Sequence, residues 1–115
     1  MDIDIKPLIK LMKKRDVKGA KEWLEAALSM TNSGDEFARG YLLALEGMVS
    51  AMESGGELST INKVLEKNYS SEQIAEIISE AKTRIAQKFR PTDERGFDTA
   101  WIDVLNELCA KSPES

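Results

Sequence analysis

"ARGYLLALEGMVSAM", residues 38–52, is the stretch on which the fold turns. It is the most hydrophobic helix candidate in the chain, yet Gly40 and Gly47 lie in its interior. Each glycine costs about 1 kcal/mol relative to alanine inside a helix. At 100° per residue, a helix from about Gly34 to Ser54 has one polar arc, formed by Asp35, Glu36, Arg39, Glu46, Ser50 and Glu53, with Leu43 inside it. The rest, more than half of the circumference, is apolar or small. A helix of that kind packs on more than one side. It is expected to be the centre of a bundle.

Within it, Phe37, Tyr41, Leu45, Met48 and Met52 form the bulky face, flanked by Leu42 and Val49. Gly40, Ala44, Gly47 and Ala51 follow at spacings of four, three and four, a strip of small residues beside the polar arc. Such a strip admits another backbone closer than the usual interaxial distance of about 8–10 Å, and dense contact then offsets the cost of the glycines. Three uses compete: packing on a helix of the same chain that carries Trp23 or Trp101, a self-association seam, or room for a ligand or nucleic-acid backbone.

Working outward, the flanking sequence reads as helices throughout. From Ile5 to Lys14, with Pro7 suited to the first turn, Ile5, Leu8, Ile9, Leu11 and Met12 share one side and Lys6, Lys10 and Lys13 the other. Asp16 caps a second helix to about Met30, whose inward stripe is Val17, Ala20, Leu24, Ala27 and Leu28, bordered by Trp23. Ser33 with Glu36 matches a capping box, and Gly55–Gly56 stops the third helix. A short helix from Ser59 to about Lys67 places Leu58, Ile61, Val64 and Leu65 inward. Ser70 with Gln73 opens a long helix to about Phe89, with Ile74, Ile77, Ile78, Ala81, Ile85 and Phe89 as its stripe. Pro91 breaks the chain in "RPTDERG". A last helix, from Asp93 or Phe97 to Ala110, buries Phe97, Trp101, Val104, Leu105 and Leu108. No segment alternates at period two, and no repeat unit recurs. The expectation is one all-α domain over residues 1–115: a compact bundle of five or six helices around the third, with residues 111–115 a frayed tail.

Composition narrows the function classes. The chain has 42% hydrophobic and 31% charged residues, an ordinary globular balance. Its apolar runs fall far short of the roughly 20 residues a membrane span needs. "MDIDIKPLIK" has acids ahead of its apolar stretch and does not resemble a signal peptide, so a cytoplasmic location is expected. There is no histidine, which removes Ser-His and Cys-His nucleophile pairs and imidazole metal sites. The single cysteine, Cys109, lies in an apolar pattern and reads as a small buried hydrophobe. Glu22 and Glu25 form an E-x-x-E pair, but the second pair that metal-dependent all-helical pyrophosphohydrolases need is missing. Residues 59–81 can be laid onto a helix-turn-helix, yet Glu72, Glu76 and Glu80 line the would-be recognition helix and would repel phosphates. In "RPTDERGFDTAW", Arg90 and Arg95 have Asp93, Glu94 and Asp98 as local partners, and the loop reads as a connector that docks Phe97 and Trp101.

Net charge is −4, but residues 1–21 are net positive through Lys6, Lys10, Lys13, Lys14, Arg15, Lys18 and Lys21. Lys6, Lys10, Lys13, Lys14 and Arg15 are the candidate contact for an acidic protein or for nucleic acid. No aromatic interleaves them for base stacking. The reading is a non-catalytic, self-associating assembly or protein–protein interaction subunit with no cofactor, metal or membrane partner. The alternative is a nucleic-acid accessory protein that binds through its basic N-terminal helices.

Overall fold

Short polar side chains fix most helix starts by accepting from an otherwise orphaned backbone N–H. The computed structural model describes residues 3–32, 34–55 and 59–109. These form six helices and no strand: α1 (Lys6–Lys13), α2 (Val17–Met30), α3 (Glu36–Ser54), α4 (Thr60–Leu65), α5 (Ser71–Ile85) and α6 (Thr92–Cys109). Asp16 caps α2 by accepting from Gly19 N–H at 2.9 Å. Asp35 caps α3 by accepting from Ala38 N–H at 3.0 Å. The capping box expected there therefore starts in the wrong place, and Ser33 itself lies outside the described residues. At α5 the box forms as expected: Ser70 accepts from Gln73 N–H, and the Gln73 side chain accepts from Ser70 N–H. Gly55, at φ 69°, ends α3 in the left-handed conformation glycine tolerates best; Gly56 and Leu58 lie outside the described residues.

Helix α3 is the central element. It packs against α2, α4 and, most extensively, α6, while α1 lies on α2 and α6. Tyr41, Leu42, Leu45, Met48 and Val49 are buried with Leu8, Ile9 and Met12 of α1. A smaller cluster, Val64, Ile74 and Leu105, joins α4, α5 and α6. Helix α5 rests chiefly on α6.

The crossing of α3 and α6 accounts for Gly40. A β-carbon there would overlap the Asp93 carbonyl group, lying 2.6 Å from its carbon. The requirement is reciprocal: a β-carbon on Gly96 would lie 2.9 Å from the Phe37 carbonyl carbon and 3.1 Å from Tyr41 N. Gly40 and Ala44 on one helix meet Gly96 and Ala100 on the other, all four buried. The same crossing corrects the expected face of α6. Gly96, Asp98, Ala100, Ile102, Val104 and Leu105 are buried, and Phe97 is exposed. With Gly96 turned onto α3, its neighbour is rotated about 100° away.

Other hydrophobics also point outward. Leu28 of α2 is exposed, and Phe89 lies beyond the end of α5, which stops at Ile85 rather than near residue 89. Beyond that end, Arg90 folds back onto Asp98.

Tyr41 spans the α3–α6 interface. Its phenol is buried and donates to Asp103 Oδ2 at 2.8 Å. Burial, then the Asp103 hydrogen bond and charge, pushes its pKa well above the ordinary phenol value of 10.0. Because the folded value exceeds the unfolded one, this stabilisation is fully present below about pH 10 and is lost as pH rises beyond it. Tyr41→Phe is expected to cost about 1 kcal/mol at neutral pH and to flatten the loss of stability above pH 10. Urea titrations of both proteins at neutral and alkaline pH measure the two slopes; parallel slopes would exclude the contribution.

Candidate functional site

The small-residue strip divides in two. Gly40 and Ala44 are consumed by packing within the chain, on the helix that carries Trp101. Ala51 is half-buried, and its carbonyl accepts from Asn62 Nδ2 at 2.9 Å. Gly47 is exposed, and a β-carbon there would meet nothing within 4 Å. One turn earlier Leu43 is 59% exposed, in the polar arc where the sequence placed it. Leu28, 42% exposed, faces the same side. These two leucines line a groove of about 510 Å3 with Glu36, Arg39, Gly40, Glu46, Pro91 and Asp93. The outward face of α3 thus presents an apolar residue and a side-chain-free turn side by side. Lys21 and Glu53 pair nearby across α2 and α3, both largely exposed, an arrangement worth at most about 1 kcal/mol.

The basic N-terminal residues lie where their periodicity puts them. Lys6, Lys10 and Lys13 are exposed along α1, Lys14 is its C-cap, and Arg15 follows in the turn before α2. None of their side chains pairs with a carboxylate among the described residues; Arg15 donates to Asn62 Oδ1 at 3.3 Å. Lys18 and Lys21 continue the charge onto the exposed side of α2.

No family model, curated protein or solved structure matches the chain.

The carboxylates singled out from the sequence form no metal-binding group among the described residues. Glu22 and Glu25 are exposed on α2, and no group of three His, Cys, Asp or Glu side chains suited to a metal ion forms among the described residues. Glu72, Glu76 and Glu80 form an exposed row on α5. Most of the polar stretch expected to be a loop, residues 92–96, forms the first turns of α6 instead, and its charged side chains hold helices together. Asp98 is almost wholly buried and accepts from Arg84 Nε at 3.2 Å and Arg90 Nη2 at 2.8 Å, while Arg90 also reaches Glu94 at 3.2 Å. Arg95 Nη2 instead donates to the Gln87 carbonyl at 3.0 Å. These contacts tie α5 to α6. No helix among the described residues is long and apolar enough to cross a membrane.

Cys109 departs from expectation. It is the last residue of α6 and is exposed, although it lies one turn beyond the buried Leu105 on the same side of the helix. Partial burial pushes its thiol pKa up, with Lys13 pulling the other way. Two further features had no sequence signal strong enough to single them out. The G-x-x-x-A pair Gly96–Ala100 repeats the spacing of Gly40–Ala44. Arg15 and Lys67 both adopt left-handed backbone, φ 60°, without being glycine or asparagine.

Proposed function

We propose that this chain is a non-catalytic assembly subunit that works through protein–protein contact, and that it associates with a second copy through the outward face of α3. The observation that carries the reading is Gly47. A glycine inside a helix costs about 1 kcal/mol, intrachain contact explains Gly40, and nothing among the described residues explains Gly47. Two copies of α3 crossed antiparallel at Gly47 would bring their backbones together there, in the self-complementary manner of a two-fold interface. Leu43 of each copy would then lie over Ser50 and Ala51 of the other, and Arg39 near the opposite Glu53 end. The exposed Leu28 and Leu43 supply the apolar area to be covered.

Light scattering across micromolar concentrations tests this directly. The expected result is a dimer that Gly47→Leu converts to a stable monomer, since leucine at an exposed helical position favours the fold while blocking close approach. A strict wild-type monomer, or a dimer indifferent to Gly47→Leu, would overturn it.

The cations of α1, exposed and without a carboxylate partner for their side chains among the described residues, favour one second reading, nucleic-acid association. It requires binding to mixed RNA or DNA oligonucleotides that weakens steeply with salt and is abolished by Lys10→Glu with Lys13→Glu.

A further inference from the structure

The ends of α1, α4 and α6 converge with the start of α5 on a cleft of about 590 Å3. Val64, Leu65, Ile74 and Leu108 give it an apolar floor, with Tyr69 alongside. Its rim carries Lys13, Arg15 and Lys67. No carboxylate lines it among the described residues, in a chain whose net charge is −4.

The backbone beside the cleft is unusual as well. Helices α1 and α4 end in the same double hydrogen bond. Asp16 N–H donates to Leu11 O and Arg15 N–H to Met12 O; Asn68 N–H donates to Lys63 O and Lys67 N–H to Val64 O. In this Schellman motif the residue after the cap is left-handed, and glycine is preferred because it has no β-carbon to clash. Here the positions are Arg15 and Lys67, both at φ 60°. A cation near a helix C-terminus does gain from the helix dipole. Lys10 and Lys13 already supply that to α1, and Lys63 to α4. Two strained positions therefore each place a cation on the rim of one cleft, and strain retained in this way is characteristic of binding sites.

We infer that the cleft binds a small amphiphilic carboxylate. Its head sits among Lys13, Arg15 and Lys67, and its apolar body covers Val64, Ile74 and Leu108. The site shares no lining residue with the α3 groove, so it stands apart from the assembly reading.

Cys109 also lines the cleft and is the chain's single cysteine, so its alkylation reports on this place alone. The test measures the rate of Cys109 alkylation by iodoacetamide, a neutral reagent, with increasing decanoate or with decanol. Decanoate is expected to slow the reaction and decanol to have little effect. Arg15→Gly with Lys67→Gly removes both cations and relieves both backbones, so the melting temperature should hold or rise. Decanoate affinity should nevertheless fall about ten-fold or more, the scale of losing charge-assisted contacts. Equal protection by decanol, undiminished protection in the double glycine variant, or no protection by decanoate would each overturn the assignment. So would protection that rises with protein concentration alone, which would mark the cleft as covered by a second copy.

Discussion

Gly40→Ala is expected to lower the melting temperature by about 8 °C or more, although alanine is the better helix former. The substitution recovers about 1 kcal/mol of helix propensity. Against this, the new methyl meets the Asp93 backbone, which belongs to a helix and cannot rotate aside as a side chain would. Overpacking of a tight core costs about 1–3 kcal/mol, occasionally more, and a backbone obstacle belongs at or beyond the top of that range. The net loss is about 2 kcal/mol, which at about 4 °C per kcal/mol for a domain of this size gives the stated shift. Gly96→Ala, facing Phe37, should behave alike. The double variant should lose less than the sum, because one separation of α3 from α6 relieves both clashes.

Gly47→Ala supplies the opposite sign on the same helix. With open space around the position, it should raise stability by about 1 kcal/mol when measured on dilute protein. Thermal melts of the three single variants decide the matter; a neutral Gly40→Ala would mean that the helices part without cost.

The second large effect lies at Asp98. Its side chain is 4% exposed and is held by Arg84 and Arg90. Removing one partner of a buried ion pair costs about 3–5 kcal/mol, because the remaining charge stays desolvated. Arg84 is 40% exposed and Arg90 keeps Glu94, so Asp98→Ala belongs at the lower end, about 3 kcal/mol. Replacing the whole cluster, Asp98→Leu with Arg84→Met and Arg90→Met, should recover most of that loss, since apolar groups of similar volume often substitute for a buried ion pair. Denaturant unfolding of the single and triple variants measures both. A loss below 1 kcal/mol for Asp98→Ala, or a triple variant no better than the single, would contradict the desolvation argument.

Much of this arrangement is legible in the residues themselves. The apolar side of α1, the caps at Asp16 and Ser70, the centrality of α3 and the exposure of Leu43 all follow from spacing of three and four or from a side chain beside an orphan N–H. What a helical wheel does not hold is the identity of the neighbour. Gly96 and Ala100 carry the same spacing as Gly40 and Ala44, but Phe97 and Trp101 outweigh them on any hydrophobic scale and draw the apparent inward face toward themselves. Backbone-to-backbone packing reverses that preference: the smallest residues take the interface and Phe97 is displaced to the surface. For the candidate site, the basic residues of α1 were visible as a stripe, whereas their junction with Lys67 required the fold that brings α4 beside α1.

The α3–α6 crossing also shapes how the chain finds its fold. Its partners, Phe37 and Gly40 on one side and Asp93 and Gly96 on the other, are far apart in sequence, with α4 and α5 lying between them. The core is thus closed by a long loop, and α4 and α5 are an excursion within it rather than part of the closing contact. Loop-closure entropy grows only logarithmically with length, so lengthening the connections around α4 changes the equilibrium little. The rate of folding, by contrast, waits on that distant encounter. In this chain the glycines set how near two helices lie across a stretch of sequence that holds two other helices.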